Sequence, residues 1–176
     1  MATVIDGSAS VTINNGAVLG ITSATAQAST SGTSIDFTGL PSWVKRITVM
    51  FSGVSTNGNS PFLMQIGNGS FTTSGYSSCS VYTGTGSGAT ALTTTGFVMM
   101  HGDTGEAHSG TYSIFLLSGN VYVGSGVYAW TTGGTYGALG GGNSSALSGA
   151  LDRVRITTVG GTNTFDAGTV NIMYEG

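Results

Sequence analysis

The chain has 176 residues, enough for one domain with an appendage, yet only 6% of them are charged and 31 are glycine. A hydrophobic share of 39% with so little charge excludes a disordered chain, and a formal net charge of −3 excludes the basic footprint that a nucleic-acid partner demands. The single cysteine, Cys79, excludes an intrachain disulfide and a cysteine-ribbon metal site, and its type is expected buried or half-buried.

In chain order, residues 1–33 are small and repetitive, with short apolar alternations such as "SVTINNGAVLGITSATAQAST" broken at Asn14, Asn15 and Gly16. They hold too little apolar bulk for a core and read as an extended N-terminal arm that orders against something larger. The opening residues have no basic stretch followed by an apolar run, and no window of the chain approaches a membrane span. The expectation is synthesis in the cytoplasm without membrane insertion.

From Ser34 the pattern changes to period-2 segments rich in Val, Ile, Tyr and Phe: "KRITVMFSGVS", "PFLMQIG", "GFVMMH", "TYSIFLL", "NVYVGSGVYAW", "LDRVRITTV" and "GTVNIMYE". Turn signals separate them at Asn57-Gly58, Asn68-Gly69, Gly84 to Gly88, Ser118 to Asn120, the long "TTGGTYGALGGGNSS", and Gly160 to Asn163. No stretch keeps helical spacing for three turns. The fold is therefore predicted as an all-β, antiparallel sandwich over residues 34–176, preceded by the arm.

The four basic residues fall in two of these strands, Lys45 and Arg46 in one and Arg153 and Arg155 in the other. Alternation sends Ile47, Val49 and Phe51 to one face of the first strand, with Arg46 opposite. It sends Val154, Ile156 and Thr158 inward in the second, with Arg153 and Arg155 opposite. Lys45 would point inward and must sit at the rim. Such cations either solvate the strands and pair with Asp36, Asp152 or Asp166, or form a contact to another subunit or virion protein.

Two clusters carry possible chemistry. "MMHGDTGEAHSG" gathers His101, Asp103, Glu106 and His108, residue types that ligate Zn²⁺, but three glycines leave the ligands without a common direction, and a solvated loop with no metal or other cofactor is the expectation. Asp103 and Glu106 are also the only close acid pair outside the end blocks, too little for glycoside hydrolysis within one chain. No nucleophile elbow appears, and "GTGSGAT" lacks the lysine of a phosphate loop. Tyr128, Trp130 and Tyr136 crowd a glycine-rich run, where flat rings could stack on a host saccharide or receptor; burial in the core or at a subunit interface is the competing reading.

The two end blocks, "TSGTSIDFTGLPSWVKRITVMFSGVSTNGNSPFLMQIG" and "LSGALDRVRITTVGGTNTFDAGTVNIMYE", resemble a β-domain of tail-fibre-like virion proteins of tailed bacteriophages. The likeness covers about Ser29 to Gly176 and is loose from about Phe71 to Ala146. It implies a jelly-roll-like structural module of the virion, acting as a homo-oligomer, most often a trimer, and it brings no catalytic residues. A tail-fibre or tail-associated module, docked by the arm on other virion proteins and meeting the host, is the leading expectation. A capsid decoration protein (cement or head fibre) and a glycan-degrading tail enzyme are the alternatives.

Overall fold

The structure is a computed structural model that describes residues 12–13, 16–17, 20–84, 87–100, 104–130 and 136–176. It is all-β, 63% strand and without helix, and every pairing between strands is antiparallel. In chain order the first strands are short: β1 (Thr12–Ile13), β2 (Gly16–Ala17), β3 (Thr22–Ser23), β4 (Gln27–Ala28) and β5 (Ile35–Thr38). Then come β6 (Arg46–Thr56), β7 (Phe62–Asn68), β8 (Ser70–Phe71), β9 (Tyr76–Gly84), β10 (Ser87–Thr93) and β11 (Phe97–Met100). The last are β12 (His108–Ser118), β13 (Val121–Trp130), β14 (Tyr136–Ser144), β15 (Arg153–Thr158) and β16 (Phe165–Glu175).

The larger sheet has the order β10-β9-β14-β13-β12-β6-β16-β3, with β4 also on β16; the smaller has the order β11-β7-β15-β5, with β8 on β7. β1 and β2 form a separate two-residue hairpin. One hydrophobic core lies between the two sheets. The large sheet supplies Ile47, Val49 and Phe51 of β6, Tyr112 and Ile114 of β12, and Val170 and Ile172 of β16; the small sheet supplies Phe62, Met64, Ile66, Val154 and Ile156. Period-2 alternation with β-branched residues produces this result: one set per strand is removed from water, at about 1.5–3 kcal/mol for each large side chain.

Two of the connections between the sheets lie at one end of the paired strands β6 and β16. Asn57-Gly58 leads from β6 to β7, and residues 159–164 lead from β15 back to β16. They lie side by side, the Asn57 amide donating to the Thr164 carbonyl at 3.0 Å and the Thr164 amide to Asn57 Oδ1 at 2.9 Å. The paired strands β6 and β16 thus continue into the paired strands β15 and β7. By contrast β12, β13 and β14 form a meander inside the large sheet. Its first turn has Gly119 and Asn120 both at positive φ, as a tight two-residue hairpin requires.

Two expectations are corrected. The sheet begins at Thr22, not Ser34: β3 and β4 pair with β16, and Ser29 is buried with its Oγ on the Ala167 carbonyl at 2.7 Å. The second half of the expected arm therefore orders against the chain's own edge strand. The "TTGGTYGALGGGNSS" run, read as a loop, contains β14, an interior strand paired on both sides with β13 and β9. Its glycines suit close packing: a Cβ on Gly140 would lie 3.0 Å from the Val98 carbonyl oxygen of the opposing sheet.

Candidate interaction surface

The four cations do not converge. Arg46 opens β6 on the outer side of the large sheet, with Nη1 2.8 Å from Glu175 Oε1 and its guanidinium 5.1 Å from the centre of the Phe115 ring. Register explains the group, since Phe115, Arg46 and Glu175 are opposite one another on β12, β6 and β16. Lys45 is exposed at the rim just ahead of β6, its amide on the Glu175 carbonyl and its carbonyl on the Leu116 amide.

Arg153 and Arg155 lie on the outward side of the small sheet, the opposite face of the molecule. Arg155 stands opposite Asp36 and donates Nε and Nη2 to its two carboxylate oxygens at 2.8 and 2.7 Å. Arg153 bonds Asp152 at 2.7 and 3.1 Å. Both guanidiniums flank the Phe71 ring, at 5.6 Å for Arg153 and 4.0 Å for Arg155. The hydrogen bonds from Arg153 hold the Asp152 carboxyl below its usual range, while Asp152 and Asp36 raise the arginines in turn. Asp166, the third expected partner, instead accepts a hydrogen bond from Ser55.

Beside Arg155 is a groove of about 350 Å³, floored by Leu63, Gln65 and Thr157 and walled by residues around Thr33, Thr73, Thr95 and Gly160. Gln65 donates to the Thr95 carbonyl at 2.9 Å and Thr157 to the Thr33 carbonyl at 2.8 Å. The lining mixes hydroxyl and amide groups with methyl surface, and its one charge, Arg155, is matched by Asp36. It offers hydrogen bonds and no pair of carboxylates for acid–base chemistry.

The aromatic run is corrected from a surface to a core feature. Tyr128 is 4% and Trp130 3% exposed, and Tyr136 is half-buried. The ring faces a sugar would need are taken: Trp130 stacks on Tyr136 at 5.1 Å and 11°, with Tyr82 at 5.3 Å and His108 at 4.8 Å around it. Tyr128 lies against Phe51 and shares a hydrogen bond with Ser80, and burial pushes its phenol up to about 12. The physical reason is again alternation: Tyr122, Tyr128 and Trp130 occupy the inward positions of β13, so Val123, Val127 and Ala129 are the ones turned outward.

Of the possible metal ligands, His101 and Asp103 lie outside the described residues. His108, expected in a solvated loop, instead begins β12 and is fully buried between Phe62 at 5.3 Å and Trp130 at 4.8 Å, its Nε2 3.7 Å from Glu106 Oε2. Among the described residues no three His, Cys, Asp or Glu side chains group as a metal site would require.

The feature that sequence reasoning missed is the outer face of the large sheet. Five adjacent strands, β10, β9, β14, β13 and β12, contain no Asp, Glu, Lys or Arg. Register aligns Val81, Leu139 and Val127 across β9, β14 and β13, with exposures of 39%, 59% and 63%. The row continues through Thr111 and Met50 to Asn171. Leu92 is exposed in the neighbouring row and Phe115 in the row beyond it, and Cys79, opposite Leu92, is exposed rather than buried because Ser78 and Ser80 take the inward positions. A count of charges by strand would have exposed this signal, but only once β9, β10 and β14 were recognised as strands. No protein-family model, curated protein or solved structure gives a significant match to the chain.

Proposed function

We propose that this chain is a structural module of a tailed-bacteriophage particle, a jelly-roll-like sandwich that assembles as a homo-oligomer in a tail fibre or tail-associated appendage. Its N-terminal segment docks on other virion proteins, another surface meets the host, and the chain has no catalytic role. The observation that carries the reading is the block of five uncharged strands with an exposed aliphatic row. Solvent-facing sheets normally carry charge against edge and face association, and a contiguous apolar face marks an interaction site. The resemblance of the end blocks and the crossover of β6 and β16 into β7 and β15 favour the sandwich class; the β12–β14 meander departs from a jelly roll's alternation between sheets.

A shell-decorating protein is the second reading, because an uncharged sheet would equally suit packing on a capsid. Antibody labelling of purified particles in the electron microscope separates the two. Label on the tail is the expected outcome, label over the head transfers the module to the shell, and particles without label overturn both.

A further inference from the structure

We infer that the outer face of the large sheet is covered by a second copy of the same face, the two packing about a two-fold axis near Val127 and Leu139. The inference rests on the reading of the chain as a self-assembling module and names the surface through which it assembles.

Three observations commit the occupant. The face is compatible with itself in charge: its ionic groups lie on β6 and β16, with Arg46 and Glu175 2.8 Å apart at one rim and the exposed Asp166 near the start of β16, and a two-fold axis along β13 sets these strands over the uncharged β9 and β10 of the other copy. It is also complementary to itself in relief. Val127 and Leu139 stand between two hollows of about 390 Å³ each, one bounded by Val81 and Thr83, the other by Thr111 and Phe115. Val127 lies on β13, the middle strand of the seven from β10 to β16, so a two-fold axis running along that strand sets Val127 against its own mate and Leu139 of each copy over Thr111 of the other, at the edge of the second hollow.

The third observation is size. Seven strands about 4.8 Å apart and four outward rows about 6.6 Å apart make a face of roughly 29 by 20 Å, about 600 Å² before side-chain relief is counted. A standard interface removes about 800 Å² from each partner. Serine, threonine and glycine take many of the remaining outward positions, among them Thr90, Thr111, Ser113, Ser125 and Gly141, and such small side chains let two sheets approach to the usual spacing of about 10 Å.

The test uses the full chain in solution, without particles, so its failure leaves the labelling result standing, and a failed labelling leaves this one. Sedimentation at micromolar concentration is expected to give twice the 17.6 kDa of one chain. Leu139→Asp and Val127→Asp should each weaken association by at least about 30-fold. Both positions are more than half exposed, so the folded monomer should survive, checked by its near-ultraviolet circular dichroism. Thr38→Asp, exposed on the small sheet, should change nothing. Cys79 supplies an internal reporter: maleimide should label it slowly in the dimer and fast in Leu139→Asp. A monomer at every concentration, a trimer, or a dimer indifferent to both face variants would overturn the proposal. So would dissociation by Thr38→Asp, or labelling of Cys79 that does not depend on association.

Discussion

Replacing Trp130 by alanine should cost stability rather than a binding contact. The indole is 3% exposed and enclosed by Tyr82, Tyr136 and His108 at ring-centre distances of 5.3, 5.1 and 4.8 Å. Truncating a tryptophan so placed removes its burial and leaves a cavity, at about 3–5 kcal/mol. An unfolding entropy of about 2.1 cal/mol/K per residue over 176 residues gives about 0.37 kcal/mol per kelvin, so the melting temperature should fall by about 8–14 °C. Trp130→Phe should be milder, about 1–2 kcal/mol, because it keeps a ring in the stack and removes a buried Nε1–H that has no hydrogen-bond acceptor among the described residues. Calorimetry with urea unfolding of the three proteins reads both differences. An alanine variant that melts with the parent, or a phenylalanine variant as damaged as the alanine, would refute the packing argument.

High pH should unfold the chain through its buried phenols. Burial pushes Tyr76 and Tyr128 up to about 12 from an ordinary value near 10, so the folded state holds their protons more tightly; full stability is present below about pH 10 and is lost as pH rises to 12. Each contributes roughly 3 kcal/mol to that loss, and absorbance at 295 nm should rise together with loss of circular dichroism; complete phenol ionisation near pH 10 with the fold intact would count against it. The pair Arg155 and Asp36 is about one-third exposed, so a double-mutant cycle to alanine should give a coupling of only about 1 kcal/mol, and a value above about 3 would show the pair is far better shielded than its exposure indicates. Gly168→Ala should destabilise by about 2–4 kcal/mol in urea, since φ is +96° and a Cβ would meet the Gly53 carbonyl at 2.5 Å; a neutral substitution would mean that the bulge in β16 can relax.

The ends of the chain were legible because their alternation is strong. Ile47, Val49 and Phe51, and likewise Val154 and Ile156, point inward as their spacing requires, and Arg155 and Arg153 find the carboxylates of Asp36 and Asp152 expected for them. Glu175 was not foreseen as the partner of Arg46, because that pairing follows from the register of β6 with β16, which local sequence does not specify. The middle was illegible for a different reason. In "YGALGGGNS" the inward positions after Tyr136 are Ala138, Gly140, Gly142 and Ser144, so small residues replace the aliphatic signal of a strand, and tertiary pairing with β9 and β13 decides the conformation. The same lack of an aliphatic signal hides the site: only the pairing of β14 with β9 and β13 aligns Leu139 with Val81 and Val127, and no local pattern in the sequence specifies that register.

The most direct test of the central claim is the number of copies of this chain per purified phage particle, measured by quantitative mass spectrometry against the major capsid protein. The account expects a few to a few tens of copies, in multiples set by the symmetry of the tail. Hundreds would place the uncharged sheet on the capsid shell, and absence from the particle would contradict the account outright.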